Sequence, residues 1–323
     1  MMKQQITVLG AGAWGCAIAH LLAINGHQVT LWCHEPELAD EINSRKTNSL
    51  FLPDVELPHN IFATPSLQEA LDGASLIFEA VPVSFLRIVL QHAKEFVDSE
   101  SIWAILSKGI EQKTLKFPSQ ILDDVFGYDV KKVVIGGPTF ARELVNSVVS
   151  ATTVASNDSA RAQAVANLLR NDYFKPYLSD DMLGVQAGGA LKNVIALTIG
   201  IALGSGAGDN TIALLLTQGL EEMGQLTKFF GGKSQTVYGL SGFGDLILTC
   251  NGSLSKNLHV GKLLGQGNLL ARISSQGVLP EGINTVQSVY QILLDQKINA
   301  PLMMSTYQFI FEQLSFSAVL AAL

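Results

Sequence analysis

The chain has 323 residues, of which 48% are apolar and only 15% are charged, so it can bury a large core and form about two domains. Its 21 basic and 28 acidic side chains give a net charge of −7, which argues against general binding to nucleic acid or to an acidic membrane surface. A small anionic ligand is still compatible with this charge, because a few local lysines can form its site.

Cysteine usage and the absence of targeting signals favour a soluble, cytoplasmic protein. Cys16, Cys33 and Cys250 form no CxxC pair, as expected for free thiols in a reducing compartment, and we expect no metal site. Residues 6–24 are mostly apolar, but glycines interrupt them, so they do not resemble a signal peptide. The apolar run 194–203 is too short to span a bilayer, and we expect no membrane insertion.

A glycine-rich turn follows the first predicted strand, 6–9, and precedes a predicted helix that ends at Asn25-Gly26. The turn reads Gly10-Ala11-Gly12-Ala13-Trp14-Gly15, which is a GxGxxG pattern in the strand–turn–helix context that it requires. Gly10 permits the turn, Gly12 lets the backbone approach a pyrophosphate, and Gly15 lets the helix and the strand pack closely. The pattern predicts a dinucleotide site, with the phosphates at the helix N-terminus beside Ala13 and Trp14.

The end of the second predicted strand, 28–33, bears on the choice between NAD and NADP. An acidic residue there holds the ribose 2′-hydroxyl of NAD, whereas a basic residue favours a 2′-phosphate. Here the strand ends in Cys33-His34-Glu35, which is ambiguous. We place His34 at the adenosine ribose, with an exposed loop residue as the alternative, and the choice between NAD and NADP stays open.

Further strands and helices alternate up to residue 180. The pattern predicts helices at 85–96 and, capped by Asn157-Asp158-Ser159, up to about 170, and it predicts strands at 75–81, 101–106, 133–135, 147–156 and 173–178. In a doubly wound sheet, ligands bind beyond the carboxyl ends of the strands. Lys108 and the turn from Gly137 to Ala141 follow two of these strands, so we expect them at the ligand-binding edge. The alternatives are a solvated loop charge for Lys108 and a plain turn for Gly137.

The second half reads as helical, with no convincing strand after Asp181. The predicted helices are 182–203, 211–230, 256–264, 285–296 and 304–314. The fold class is therefore α/β, with a doubly wound Rossmann-type domain at 1–180 followed by an all-α domain at 181–323. A cleft between two such domains is the usual location for a substrate.

Lys192 lies in a run, 188–197, that is otherwise small or apolar apart from Asn193. Burial disfavours the charged form of a lysine and lowers its pKa toward the range where it exchanges protons near neutral pH. The alternative is a lysine near a helix start that extends its ammonium group to water.

Other polar residues of this half lie in glycine-rich turns. Asp209-Asn210 and Asp245 are both explained by helix capping, although the Asp245 carboxylate is also placed to orient a substrate hydroxyl or Lys192. Ser255-Lys256-Asn257 combines one cation with two neutral donors, which suits a phosphate. The stretch that includes Leu279 and Glu281 is explained by a turn alone.

Seven motifs occur together and in order, and the set covers nearly the whole chain. They are the turn Gly10-Ala11-Gly12-Ala13-Trp14-Gly15, Ser107-Lys108-Gly109, Gly137-Pro138-Thr139-Phe140-Ala141, Ala190-Leu191-Lys192-Asn193-Val194, Gly208-Asp209-Asn210, Gly242-Phe243-Gly244-Asp245 and Glu281-Gly282. In this set the chain resembles the NAD(P)-dependent glycerol-3-phosphate dehydrogenase family of the biosynthetic, prokaryotic type.

The resemblance implies interconversion of sn-glycerol 3-phosphate and dihydroxyacetone phosphate, which supplies glycerol phosphate for membrane lipids, and it is compatible with a homodimer. It implies that Lys192 is the general acid/base, that Asn193 and Asp245 hold substrate oxygens, and that Lys108 lies near substrate and nicotinamide. The residues implied around the substrate also include Gly137, Thr139, Ser255, Lys256 and Asn257. Those implied at the cofactor, NAD or NADP, include Ala141, Lys256, Leu279 and Glu281.

Two positions depart from the family pattern. The family usually has Ser-Arg-Asn-Arg where this chain has Lys256 and Leu258, and lysine keeps the charge but loses the planar fork of arginine. The family also tends to have an aspartate where Leu203 stands.

Two other functions are considered. A related dehydrogenase of 3-hydroxy acids needs an arginine for the carboxylate, whereas this chain offers Lys108 and Lys256, which suit a phosphate. A non-catalytic dinucleotide sensor would not need Lys192, Asn193 and Asp245.

Overall fold

The computed structural model describes residues 5–127, 130–275 and 279–323, which form two compact units. The first unit contains the chain up to Ser107 together with Pro118–Met182, and the second contains Lys108–Phe117 and Leu183–Leu323. The sequence reading assigned 108–117 to the first domain. These residues belong instead to the second unit, because Ile110 and Phe117 are buried in its hydrophobic core.

The first unit is organised around a mixed sheet of eight strands. The strands of the chain are β1 (Ile6–Leu9), β2 (Val29–Trp32), β3 (Thr47–Asn48), β4 (Leu52–Glu56), β5 (Ile61–Thr64), β6 (Leu76–Glu79), β7 (Ile102–Ile105), β8 (Lys131–Gly136), β9 (Ser150–Ala155) and β10 (Phe174–Ser179). The order in the sheet is β10-β9-β8-β7-β6-β1-β2-β5, and β3 and β4 form a separate antiparallel pair. All neighbours in the large sheet are parallel except β8 and β9. The chain order reverses on the two sides of β1, which is where a doubly wound sheet binds ligands.

Among the described residues of the first unit, seven α-helices accompany this sheet. They are α1 (Ala13–Ile24), α2 (Pro36–Arg45), α3 (Leu67–Leu71), α4 (Val83–Ala93), α5 (Pro118–Phe126), α6 (Ala141–Val145) and α7 (Ser159–Leu169). The strand runs and the cap predicted at Asp158 are confirmed, since the Asp158 carboxylate accepts hydrogen bonds from the backbone N–H groups of Ala160 and Arg161.

The second unit is helical, and no strand occurs after Ser179 in the described part of the chain. Its helices are α8 (Met182–Gly204), α9 (Asp209–Phe229), α10 (Asp245–Asn251), α11 (Lys256–Gly265), α12 (Leu270–Ser274), α13 (Glu281–Gln296), α14 (Pro301–Phe311) and α15 (Phe316–Ala321). The capping role predicted for Asp209 is wrong: α9 is capped by Gly208, and Asp209 is already the first helical residue. A negative side chain in that first turn still interacts favourably with the helix dipole.

Helix α8 is the central helix of the second unit. It is long and apolar enough to cross a membrane by length and composition, so the length argument made for residues 194–203 was wrong. However, 89% of its most apolar window is buried inside the protein. Its apolar character is therefore that of a core helix, with Leu191, Ile195 and Ile199 packed among the other helices.

Glycines let α8 and α11 pack closely. A Cβ atom at Gly200 would lie 2.8 Å from the Cα of Gly261, and one at Gly204 would lie 3.0 Å from the Cα of Gly265. This close crossing brings the start of α11 to the side of α8, which positions Ser255, Lys256 and Asn257.

Candidate active site

Lys192 and Lys108 both bind the carboxylate of Asp245 in the second unit. Lys192 Nζ lies 2.7 Å from Asp245 Oδ1, and Lys108 Nζ lies 2.6 Å from Asp245 Oδ2. The Lys192 and Asp245 side chains are 9% and 2% exposed, whereas that of Lys108 is 22% exposed. The cluster therefore holds two cations and one anion largely out of water, with a net positive charge toward any substrate oxygen.

Two glycines permit the contact between Lys192 on α8 and Asp245 on α10. A Cβ atom at Gly188 would lie 2.6 Å from the carbonyl oxygen of Ser241, and one at Gly242 would lie 2.1 Å from that of Val237. Residues 240–244 form a widened turn in which the Gly244 N–H donates to the Gly239 carbonyl at 3.1 Å. Such turns with i→i+5 hydrogen bonds are frequent at functional sites, and this one sets the start of α10 at Asp245.

Gly189 makes room for Lys108. A Cβ atom at Gly189 would lie 3.3 Å from Cγ and 3.4 Å from Cδ of Lys108, so the lysine stem runs along α8 where a larger residue would obstruct it. Gly188 and Gly189, which begin the apolar run 188–197, therefore position the two lysines that bind the Asp245 carboxylate.

Burial lowers the pKa of the Lys192 amine from 10.5 to about 8. The charge of Lys108 acts in the same direction, and the charge of Asp245 opposes it. Burial by itself would raise the pKa of Asp245, but the two lysines outweigh burial, so this carboxyl group has a pKa below its ordinary value. An amine with this pKa can give or take a proton near neutral pH, while its partner stays ionised.

Thr249 is a site residue that the sequence reading missed. Lys192 Nζ donates to Thr249 Oγ1 at 2.7 Å, and that hydroxyl donates to the backbone carbonyl of Asp245 at 2.6 Å. The hydroxyl thereby fixes the direction of the amine lone pair or proton. A threonine one turn after an aspartate carries no sequence signal of its own, because its partner lies on another helix. The neighbouring Cys250 is buried, and burial raises the pKa of its thiol to about 12, so it stays protonated.

Asn193 and Asn257 are joined by a direct hydrogen bond between their side chains. Asn257 Nδ2 donates to Asn193 Oδ1 at 2.9 Å, and Asn257 Oδ1 accepts from the backbone N–H of Gly282 at 3.1 Å. Both asparagines are less than 10% exposed. The structure thus brings together two predicted substrate residues and the first turn of α13, which begins with the predicted cofactor residue Glu281.

Ser255, Lys256 and Leu279 line one cavity of about 470 Å³ in the second unit. Ser255 caps α11, because its hydroxyl accepts from the backbone N–H of Leu258 at 3.2 Å. Lys256 is exposed and is the first residue of that helix, where backbone N–H groups and a cation together suit an anion. Leu258 replaces the family arginine with a residue that is buried in the core. Leu203, the other departure, is partly buried against the same core.

The glycine-rich turn of the first unit has the geometry that a dinucleotide requires. Gly10 has φ +109°, which favours glycine, and a Cβ atom at Gly15 would lie 1.9 Å from the carbonyl oxygen of Gly10. A Cβ atom at Gly12 would meet no atom within 4 Å, so the backbone at the start of α1 is open to a ligand. The N–H groups of Ala13, Trp14 and Gly15 lie in the first turn of α1, where the helix offers them no partner. Among the described residues, the buried indole Nε1 of Trp14 also has no hydrogen-bond partner.

Two buried polar residues that the sequence reading missed hold this edge of the first unit. Asn48 Nδ2 donates to the carbonyl of Ala11 at 2.8 Å, and it therefore stabilises the glycine-rich turn. Glu79, at the end of β6, accepts from the backbone N–H of Val81 at 2.7 Å and from the hydroxyl of Ser107 at 2.6 Å. The ends of β6 and β7 are thereby held together.

The remaining predicted residues of the first unit lie after strands, as expected, but their contacts are structural. A Cβ atom at Gly137 would lie 2.8 Å from the Cα of Thr152, so close packing against β9 explains this glycine without a ligand. Thr139 Oγ1 donates to the Gly137 carbonyl at 3.3 Å, and Ala141 begins α6, which packs against α1. His34 is exposed after β2, with its ring 6.2 Å from that of Trp32.

Comparisons with known proteins identify relatives over nearly the whole chain. The family model for the NAD-dependent glycerol-3-phosphate dehydrogenase N-terminus matches residues 5–162, and the model for the C-terminus matches residues 181–321. The glycerol-3-phosphate dehydrogenase [NAD(P)+] of Citrifermentans bemidjiense is 40% identical over 97% of this chain and 95% of its own length. The enzyme of the same name from Bacillus cereus is 40% identical over 95% of this chain and 91% of its own. The crystal structure of glycerol-3-phosphate dehydrogenase from Coxiella burnetii matches with a TM-score of 0.94 and 33% identity, covering 99% of this chain and 98% of its own.

Proposed function

Because the chain belongs to the NAD-dependent glycerol-3-phosphate dehydrogenase family, we propose that it interconverts sn-glycerol 3-phosphate and dihydroxyacetone phosphate with NAD or NADP. The observation that carries the proposal is the buried Lys192 amine, held 2.7 Å from Asp245 and with its pKa lowered to about 8. A dehydrogenase of this kind needs one titratable group at the hydroxyl that becomes a carbonyl.

Lys192 is the general acid/base in this proposal. When the alcohol is oxidised, the C2–H bond breaks with transfer of a hydride, and the neutral amine of Lys192 takes the proton of the C2 hydroxyl. In the reverse direction, the ammonium form returns the proton to the oxygen as the hydride is added to C2. The positive charge of Lys192 and Lys108 stabilises the negative charge that develops on this oxygen. Asp245 and Thr249 hold the amine in place at 2.7 Å each.

The nicotinamide ring, when bound, accepts or donates the hydride. The residues that would hold the dinucleotide are Gly10, Gly12 and the N-terminal turn of α1, because the open space at Gly12 and the N–H groups of that turn fit a pyrophosphate. We also assign Ala141, Leu279, Glu281 and His34 to the cofactor, and kinetics with NAD and NADP side by side would measure the preference.

The substrate phosphate is assigned to the start of α11. Ser255 and Asn257 are fixed by their hydrogen bonds, and Lys256 adds an exposed cation at the same helix N-terminus. We assign Asn193, Gly137 and Thr139 to the remaining substrate oxygens. Lysine binds phosphate as a point charge, without the two parallel hydrogen bonds that arginine forms.

The cellular role follows from the reaction. The product of reduction is the glycerol phosphate on which phospholipid synthesis depends. We place the enzyme in the cytoplasm, without membrane insertion or nucleic-acid binding. A homodimer is compatible with this role. The three cysteines are free and buried, which agrees with a reducing compartment.

The test is a rate assay that follows NADPH and NADH oxidation with dihydroxyacetone phosphate. Turnover with dihydroxyacetone phosphate, and much slower turnover with a 3-oxo acid, would support the proposal. Faster turnover with the 3-oxo acid would overturn it in favour of a hydroxyacid dehydrogenase. Binding of NADPH without turnover of either compound would overturn it in favour of a sensor.

A further inference from the structure

We propose that Asn257 is a positioning residue that sets the orientation of the Asn193 carboxamide, so that Asn193 presents an N–H group to the substrate. This inference rests on the proposed function. It concerns a polar relay that joins three helices of the second unit: α8, α11 and α13.

One backbone N–H group determines the direction of the relay. Gly282 N–H can only donate, so the Asn257 atom 3.1 Å away must be the carbonyl oxygen Oδ1. The other end of this carboxamide, Nδ2, then donates to Asn193 Oδ1 at 2.9 Å. Asn193 Nδ2 is consequently directed to the carbonyl of Gly189, at 3.3 Å. The Gly282 N–H group therefore determines the orientation of both carboxamides, that of Asn257 directly and that of Asn193 through Asn257.

The orientation matters for the chemistry of the substrate. Each Nδ2 carries two N–H groups, and the relay uses one on Asn193 and one on Asn257, which leaves one donor on each side chain. The phosphate and alkoxide oxygens of the substrate are acceptors, so they need donors. If Asn193 were flipped, its carbonyl oxygen would face these oxygens and repel them.

Gly282 is matched to this relay. A Cβ atom there would lie 2.3 Å from Asn257 Oδ1 and 3.0 Å from the backbone carbonyl oxygen of Asn193. Any larger residue would therefore displace the Asn257 carboxamide, although Gly282 itself contributes no side chain to substrate binding. The relay is buried, since Asn193 is 6% and Asn257 is 9% exposed, so water does not readily replace a lost partner.

A double-mutant cycle on kcat/KM tests the proposal. Asn257→Ala should lower kcat/KM for glycerol 3-phosphate about tenfold. Because Asn257 orients Asn193, the loss in Asn193→Ala combined with Asn257→Ala should be smaller than the product of the two single losses. Losses that multiply fully would overturn the proposal, because they would show that the two asparagines act independently of each other. The same cycle on the Kd of glycerol 3-phosphate, measured by calorimetry, should give the same pattern.

A second pair of variants addresses the glycine. Gly282→Ala should reproduce the loss caused by Asn257→Ala and should add nothing to it in the double variant. The matched control is Gly224→Ala in α9, where a Cβ atom would meet only Val237 Cγ2 at 3.8 Å, and kinetics should be unchanged. If Asn257→Ala does not fold, Asn257→Ser replaces it in the cycle. Gly282→Ala with wild-type kinetics would overturn the proposal.

A wild-type enzyme without turnover of dihydroxyacetone phosphate would overturn both the proposed function and this inference, whereas multiplying losses in an active enzyme would overturn only the inference.

Discussion

Lys192 and Asp245 form an ion pair of 2.7 Å in which both side chains are at least 91% shielded from solvent. Burying two charges is costly, and their attraction offsets that cost only if each keeps its partner. Burial lowers the pKa of Lys192 to about 8 although Asp245 opposes this shift. Burial alone would raise the pKa of Asp245, but the two lysines outweigh it and hold this pKa below its ordinary value, so the amine titrates near neutral pH while the carboxylate stays ionised.

Lys192→Ala should abolish turnover while leaving the binding of NADPH almost unchanged. General acid/base catalysis contributes about 10²–10⁴ in rate, so kcat should fall by at least this factor. The measurement is kcat in both directions, with the Kd of NADPH from fluorescence titration as the control. Substantial residual activity would contradict proton transfer by this residue.

The pH dependence of kcat/KM should follow the Lys192 amine, whose pKa burial lowers to about 8. Oxidation of the alcohol needs the neutral amine, so its rate should rise with pH and level off above about 8. Reduction of the ketone needs the ammonium form, so its rate should fall above about 8. These opposite limbs are measured with buffers of constant ionic strength.

Two variants should move this limb in opposite directions. The charge of Asp245 raises the pKa of Lys192, so Asp245→Asn should shift the limb to lower pH. The charge of Lys108 lowers the pKa of Lys192, so Lys108→Met should shift the limb to higher pH. The pH profile of each variant checks the sign, and a limb that stays in place in both would show that another group titrates.

Lys256→Ala should mainly raise the KM for the phosphorylated substrate, because it removes the cation assigned to the phosphate. The Lys256 side chain is exposed, so its loss should not unfold the protein. Lys256→Arg should lower the KM, since guanidinium can bind a phosphate with two parallel hydrogen bonds. The control is Lys262→Ala, on the same helix and also exposed, for which kinetics should be unchanged. An unchanged KM in Lys256→Ala would refute the placement of the phosphate at α11.

Gly12 and Gly15 should separate cofactor binding from stability. Gly12 has φ −64° and open space around it, so Gly12→Ala should keep the unfolding free energy and weaken NADPH binding. A Cβ atom at Gly15 would lie 1.9 Å from the Gly10 carbonyl oxygen, so Gly15→Ala should lower the unfolding free energy by about 1–3 kcal/mol. Urea unfolding and NADPH titration of both variants test this, and equal effects on the two quantities would contradict it.

Glu222 should contribute to stability without affecting catalysis. This fully buried carboxylate accepts from the backbone N–H groups of Leu302 at 2.8 Å and Met303 at 3.0 Å, at the start of α14. Glu222→Leu leaves both N–H groups unpaired and should lower the unfolding free energy by about 2–5 kcal/mol. Glu222→Gln keeps one acceptor and should lose less.

Glu222 should also make stability depend on pH. Burial raises its pKa above the ordinary value of 4.5, so the folded protein binds its proton more tightly than the unfolded chain does. The resulting stabilisation is complete below about 4.5 and is lost as the pH rises through the raised pKa of the folded state. This dependence should be absent from Glu222→Gln, as measured by urea unfolding across that range.

The sequence correctly predicted those parts of the fold that are determined by residues adjacent in the chain. The turn after β1 is specified by glycines that are adjacent in sequence, and the cap at Asp158 by its own neighbours. In contrast, β4 reads Leu-Pro-Asp-Val-Glu, without a regular apolar pattern, and it was not predicted. The antiparallel pairing of β8 with β9 was not foreseen either, because strand direction depends on the path of the chain through α6.

The candidate site was predicted from residue types, and of its contacts the sequence suggested only that of Asp245 with Lys192, as an alternative to helix capping. Lys108 and Asp245 are 137 positions apart in sequence, so only the tertiary fold reveals that Lys108 and Lys192 bind the same Asp245 carboxylate. Thr249 and Asn48 were missed because their partners lie on other elements. The pairing of Asn193 with Asn257 depends on the glycines that let α8 and α11 approach each other.

Because Lys108–Phe117 belongs to the second unit, the two units cannot be separated by a single cut in the polypeptide. A fragment ending at residue 180 would carry Ile110 and Phe117 away from the core in which they are buried. The complementary fragment would lack the lysine that binds Asp245 Oδ2. During synthesis, this segment leaves the ribosome well before α8, so the second unit completes its core only when the C-terminal half has followed.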